Sequence, residues 1–230
     1  MNLTALHRRL LADVIAIGSP YPLVITGGYA VQAHGLVDRL SQDLDVATEN
    51  PAPMDDIAAD LVHELTKRGW GVDVIGVDPL SARLMVTDLR GGGGGRCEVD
   101  VLKENLWFAP QDTEYGPVLA LDDVIGTKVR ALADRGAARD LIDVHAARRH
   151  HSFAGLERLG ARHGRDEFRL EDLHARLNGA DWYDDEEFAA YGLDDDAITT
   201  LRAWARSWAG DIEPRLSTAQ DDSDSDSPYA

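Results

Sequence analysis

The 230-residue chain carries 41 Asp and Glu against 23 Lys and Arg, a formal net charge of −18, with 44% hydrophobic residues and one cysteine. That composition suits a globular chain with a real core and excludes an internal disulfide framework or a multi-cysteine zinc site. No apolar run approaches the ~20 residues of a membrane span, and the amphipathic N-terminal stretch is not a signal peptide, so a cytoplasmic location is expected.

The charge is unevenly placed. Residues 1–125 hold 9 basic and 19 acidic side chains, residues 126–180 hold 11 and 8, and residues 181–230 hold 3 and 14. The middle block also contains five of the eight histidines. The run Asp221-Asp222-Ser223-Asp224-Ser225-Asp226-Ser227 offers nothing apolar to bury, so composition predicts a disordered acidic tail.

Leu6, Leu10, Val14 and Ile17 recur at helical spacing and predict a first helix. Leu23-Val24-Ile25-Thr26 reads as a short buried strand ended by Gly27-Gly28, and Tyr29 to His34 as one or two helical turns closed by Gly35. Gln42 to Ala47 alternates polar and apolar, as a half-buried strand does. After Pro51 and Pro53, Met54 to Arg68 reads as a helix, with Ile57, Leu61, Val62 and Leu65 inward. Gly71–Val77, Ala82–Leu89 and Arg96–Leu102 read as strands, the last two joined by the glycines Gly91 to Gly95. A strand follows those glycines, so a hairpin tip fits better than a phosphate loop, which needs a helix after it. From Leu121 the chain reads as helices: Leu121–Asp134, Ala138–His150, Phe153–Arg162, Arg169–Leu177 and one near Asp196–Ala209.

Period-two geometry puts Asp43 and Asp45 on one face of their strand and Leu44 and Val46 on the other. Adjacent carboxylates repel unless a cation sits between them, and hard Mg²⁺ suits such a pair when phosphates complete its shell. Gly27-Gly28, between a strand and a helix, lets backbone approach a phosphate closely. Cys97-Glu98-Val99-Asp100-Val101 supplies a third acid. Asp100 is favoured because Val99 and Val101 can bury beneath it, although Glu98 shares its face and stays the alternative. Three acids on adjacent strands would hold two metal ions about 4 Å apart, as in-line nucleotidyl displacement requires.

Gly27-Gly28 followed by Asp43-Leu44-Asp45 and Val99-Asp100-Val101 resembles the nucleotidyltransferase superfamily signature. More narrowly, Arg39-Leu40-Ser41-Gln42-Asp43-Leu44-Asp45 is similar to the Arg-x-Ser-x-Asp-Leu-Asp form of the AbiEii/AbiGii toxins, a group that includes the MenT-type toxins. Lys128, Arg135, Arg139, Asp140 and Asp143 resemble that group's Lys…Arg…Arg-Asp-x-x-Asp segment. The resemblance covers roughly residues 20–147. Where many nucleotidyltransferases have Gly-Ser, this chain has Gly-Gly, so a phosphate contact is expected from backbone N–H groups or from Ser41.

The resemblance implies an α+β fold, a minimal nucleotidyltransferase (polymerase-β-like) mixed sheet with helices, followed by a helical C-terminal half. The expected division is a nucleotidyltransferase core over 1–110, a helical region over 111–215 and the acidic tail over 216–230. It implies a Mg²⁺-dependent enzyme, Mn²⁺ serving too, that moves an NMP from an NTP to an acceptor. Asp43, Asp45 and Asp100 are expected as metal ligands. Gly27, Gly28, Arg39, Ser41 and Lys128 are expected to bind the nucleotide. Asp143 would orient Lys128 or the nucleotide, and Asp140 would hold neighbouring arginines. The expected setting is a toxin–antitoxin or phage-defence pair, with a cognate antitoxin and the tRNA 3′ end as acceptor. A small-molecule, aminoglycoside-type nucleotidyltransferase is the alternative, and a catalytically idle binding module is a third. His145, His150 and His151 lack a completing ligand cluster, Trp204 and Trp208 read as a packing stripe, and Cys97 reads as a buried small hydrophobe.

Overall fold

The computed structural model describes residues 1–225 except 40, 91–93 and 165–166, with side chains to residue 218. The chain separates into two compact units, Met1–Val124 and Ile125–Ala230.

The first unit contains α1 (Ala5–Ile17), β1 (Val24–Ile25), α2 (Gly27–Ala33), β2 (Asp43–Thr48), α3 (Met54–Lys67), β3 (Trp70–Asp78), β4 (Ser81–Asp88), β5 (Arg96–Lys103), β6 (Gln111–Thr113) and β7 (Gly116–Val118). Thr4 starts α1 by accepting the His7 N–H on its hydroxyl. Asp55 and Asp56 open α3 and Lys67 closes it, each sign matching the helix dipole. The strands form one mixed sheet in the order β3-β4-β5-β2-β1-β7-β6. β2 and β5 run parallel, as do β1 and β7, and the remaining neighbours are antiparallel.

Alternation along the strands decides which face is buried. Leu44, Val46, Leu84, Val86, Val99 and Val101 pack with Leu10, Leu11 and Val14 of α1 and Ile57, Leu61 and Leu65 of α3. Their neighbours Asp43, Asp45, Glu98 and Asp100 are forced to the other face, where they stay partly exposed. Cys97 is buried, as expected of a small hydrophobe on the core side.

β6 and β7 lie beyond residue 110, where the sequence suggested that the α/β core ends. Each has only three residues, β6 polar throughout and β7 interrupted by Pro117, so periodicity gives them no signal, and β7 joins the sheet through the single Ile25–Val118 pair. β4 and β5 form the expected hairpin, while Gly91–Gly93 of its tip lie outside the described residues.

The second unit is helical among its described residues. The helix α4 (Leu121–Asp134) leads into α5 (Ala138–Ala147), α6 (Phe153–Gly164), α7 (Leu170–Asn178), a 3-10 turn at Gly179–Trp182, α8 (Asp185–Ala189) and α9 (Asp195–Ser225). Trp204 and Trp208 form the packing stripe, Phe153 stacking on Trp208 at 5.3 Å between ring centres. Buried Glu157 accepts from Trp208 Nε1 at 2.9 Å and from both Arg215 Nη atoms at 2.6 and 2.8 Å, which fixes α9 against α6. α9 runs to Ser225, into the stretch where composition predicts disorder, and residues 226–230 of that tail lie outside the described residues. The observed α+β architecture, a mixed sheet with a helical C-terminal half, is the one that the sequence implied.

Among the described residues, no helix is long and apolar enough to cross a membrane.

Candidate active site

The register of β2 on β5 brings the acids into ranks. Asp45 stands opposite Asp100, and Asp43 opposite Glu98. Parallel neighbours are about 4.8 Å apart, so the carboxylates crowd one patch of sheet surface. Both candidates for the third acid therefore face the Asp-x-Asp pair, Asp100 across from Asp45 and Glu98 across from Asp43.

The glycine turn closes on this patch. Gly27 has a φ of +59°, a left-handed conformation that glycine alone adopts cheaply, and a Cβ on it would lie 1.8 Å from Asp45 Oδ2. A Cβ on Gly28 would lie 2.5 Å from Ser41 Oγ and 3.8 Å from Arg39 Nη1. Gly27, Gly28, Arg39, Ser41 and Asp45 thus lie together, and the missing side chains permit the approach. Leu40, inside the same motif, lies outside the described residues.

Ser41 donates its hydroxyl to Asp43 Oδ1 at 2.9 Å, so it orients a carboxylate as well as flanking the turn. Behind it, the buried Tyr29 hydroxyl lies 3.4 Å from the Ser41 carbonyl oxygen and 2.6 Å from His7 Nδ1. Burial, with lesser contributions from Cys97 and Asp43, pushes the Tyr29 phenol up to about 12. Burial lowers the His7 imidazole, against a weaker pull upward from Asp43. Burial also pushes the Cys97 thiol up to about 12, which leaves it inert.

Arg83 of β4 is a participant that sequence reasoning missed. It is the register partner of Asp100 and grips both its oxygens, Nε to Oδ1 at 2.8 Å and Nη2 to Oδ2 at 2.7 Å. Its Nε also lies 3.3 Å from Glu98 Oε1. The Asp100 hydrogen bond, and then the charges of Asp100, Glu98 and Asp45, raise the guanidinium above the ordinary arginine value. A signal did exist: a β4–β5 hairpin centred in the glycine run sets Arg83 opposite Asp100. Among the described residues, no three or more His, Cys, Asp or Glu side chains are already gathered as a metal cluster. The Asp100 carboxylate is turned to the arginine instead.

The remaining expected residues lie on the second unit's helices. Lys128 Nζ is 2.9 Å from Asp143 Oδ2, with the two side chains 11% and 0% exposed. A solvated helix lysine is therefore not what the fold contains. Asp140 takes a bidentate hydrogen bond from Arg135 at 2.7 and 2.8 Å, the arginine-holding role expected of it. His145 packs on Trp204 rather than on other histidines, with 5.1 Å between ring centres.

A Gly-Gly turn pressed against acids on paired strands of a mixed sheet is the frame of a nucleotidyltransferase. Residues 9–212 match the family described as nucleotidyl transferase AbiEii toxin, type IV TA system. The chain belongs to that family, a family of nucleotidyltransferase toxins of type IV toxin–antitoxin systems, and membership implies an NTP and a cognate antitoxin. Among solved structures, JHP933 from Helicobacter pylori is similar at 18% identity and a TM-score of 0.56, over 95% of this chain and 98% of that one. A putative nucleotidyltransferase from H. pylori is similar at 16% identity and a TM-score of 0.57, over 93% and 98%. MenT4, a nucleotidyltransferase toxin from Mycobacterium tuberculosis H37Rv, is similar at 18% identity and a TM-score of 0.56, over 93% and 91%. At these identities the likeness establishes the fold. No curated protein sequence matches.

Proposed function

We propose that this protein transfers a nucleoside monophosphate from an NTP to an acceptor hydroxyl at the tRNA 3′ end. The observation that supports it most is the carboxylate register, with Asp45 beside Asp100 and Asp43 beside Glu98, against the Gly27-Gly28 turn. Every donor in that patch is a hard anionic oxygen, the chemistry that Mg²⁺ selects and Mn²⁺ shares. Asp43 and Asp45 would hold two such ions and Asp100 one of them, with Glu98 as its neighbouring substitute. Bound there, the ions supply Lewis-acid polarisation of the α-phosphate and neutralise its charge.

The chain's own groups divide the remaining work. Backbone N–H groups of Gly27 and Gly28, with Ser41 and Arg39, cradle the phosphates. Asp100 takes the proton of the acceptor hydroxyl as its oxygen bonds to the α-phosphorus, while the bond to the bridging oxygen breaks and pyrophosphate leaves. Lys128, aimed by Asp143, meets the charge of the departing pyrophosphate as a point cation. The basic, histidine-rich block 126–180, where Arg149 and His150 are exposed, supplies the cations that an RNA backbone needs.

Incubation with Mg²⁺, labelled NTPs and total tRNA tests this reading. Label is expected on tRNA, lost in Asp43→Ala and Asp45→Ala proteins that remain folded. Retained labelling in the Asp45 variant overturns the metal assignment. Label that reaches an aminoglycoside but never RNA overturns the acceptor.

A further inference from the structure

The carboxylate patch already contains a cation, and that cation belongs to the protein. Arg83 lies 3.3 Å from Glu98 Oε1, the acid opposite Asp43, and its guanidinium occupies both oxygens of Asp100, the acid opposite Asp45. A bidentate fork of this kind is among the stronger ion-pair geometries, and arginine cannot relax it by losing a proton. It releases Asp100 only by moving.

The surroundings leave room for that movement. Arg83 is 52% exposed along its side chain whereas Asp100 is 13% exposed, so the arginine is the mobile partner and the acid the fixed one. Beside them lies a hollow of about 360 Å³ bounded by Ile75, Gly76, Asp78 and Ser81. At Gly76 even an added Cβ would meet nothing within 4 Å, and Asp78 offers a second carboxylate on the hollow's wall. Strand β3 therefore provides both space and an alternative counter-charge.

We propose that Arg83 is a positioning residue that holds the cation place at Asp100 and yields it, by swinging into the β3–β4 hollow, when a divalent ion binds with the NTP. The inference rests on the metal reading given above. It makes the third carboxylate available only when a stronger competitor for it arrives, and until then it offsets part of the charge of Asp100 and Glu98.

Mn²⁺ titration followed by electron paramagnetic resonance, with a non-hydrolysable NTP analogue present, reads this directly. Arg83→Gln is expected to bind Mn²⁺ about five- to tenfold more tightly than the unaltered protein, the scale of removing one competing charge near a protein surface. Arg83→Lys, which can hold only one oxygen, is expected to fall between them and guards against a folding defect in the glutamine variant. Asp100→Asn added to Arg83→Gln is expected to abolish the gain. Unchanged or weaker Mn²⁺ binding in an Arg83 variant with native circular dichroism overturns the proposal and identifies Arg83 as a plain cross-strand pair. Absence of any Mn²⁺ binding that Asp45→Ala can remove overturns the metal reading itself, and this inference with it.

Discussion

The ammonium of Lys128 lies 2.9 Å from Asp143, whose side chain is fully shielded from water. Removing Asp143 takes from the buried Lys128 ammonium the carboxylate that compensates it. Asp143→Ala is therefore expected to cost about 3–5 kcal/mol, and Asp143→Asn less. Lys128→Met combined with Asp143→Leu should recover most of that stability while transfer stays lost. Urea midpoints of the single and double variants check this, and they separate the lysine's charge from its place in the fold.

Gly27→Ala places a methyl where Asp45 Oδ2 now sits and strains a backbone at φ +59°. The left-handed conformation alone costs roughly 1–2 kcal/mol for an L-residue, which the fold should survive. Displacing the carboxylate is the larger effect, and transfer should fall by about 100-fold or more. Parallel thermal melts and labelling assays distinguish the two.

Gly160 sits in α6, where an alanine would normally favour helix by about 1 kcal/mol. Here its Cβ would lie 2.5 Å from Val129 Cγ1 and 2.9 Å from Phe168 Cε2. Overpacking of about 1–3 kcal/mol should win, so Gly160→Ala is expected to destabilise. Gly210 in α9 has nothing within 4 Å of an added Cβ, and Gly210→Ala should stabilise by about 0.5–1 kcal/mol. Opposite shifts in melting temperature are the expected result.

Burial, reinforced by Arg148 and Arg149, pushes the His145 imidazole down to about 4. Its ring packs on Trp204, and its buried Nε2 makes no hydrogen bond among the described residues. The unfolded chain takes up a proton near pH 6.5 while the folded one resists until about 4. Stability from this group is therefore full above pH 6.5 and declines as pH falls toward 4. Between pH 7 and pH 5 the loss should be about 1–2 kcal/mol, absent in His145→Leu. Denaturation curves at the two pH values check the sign.

Much of the site could be read from residue order. Alternation across Asp43–Thr48 and Arg96–Lys103 assigns the acids to one face and the valines to the core, whatever the sheet order. The helices from Leu121 onward follow from apolar spacing of the same kind. β6 and β7 escaped because their three-residue stretches gain strand structure only from the partners they meet.

The sequence by itself determined which side chains share a face, since period and polarity are local properties. Only the tertiary structure decided which faces meet. The parallel β2–β5 register setting Asp45 against Asp100, the Arg83 fork on that acid and the burial of Lys128 with Asp143 are all long-range pairings. Each depends on packing between segments far apart in the chain, where the gain from burial and charge pairing outweighs the cost of ordering them, and no local spacing records that balance.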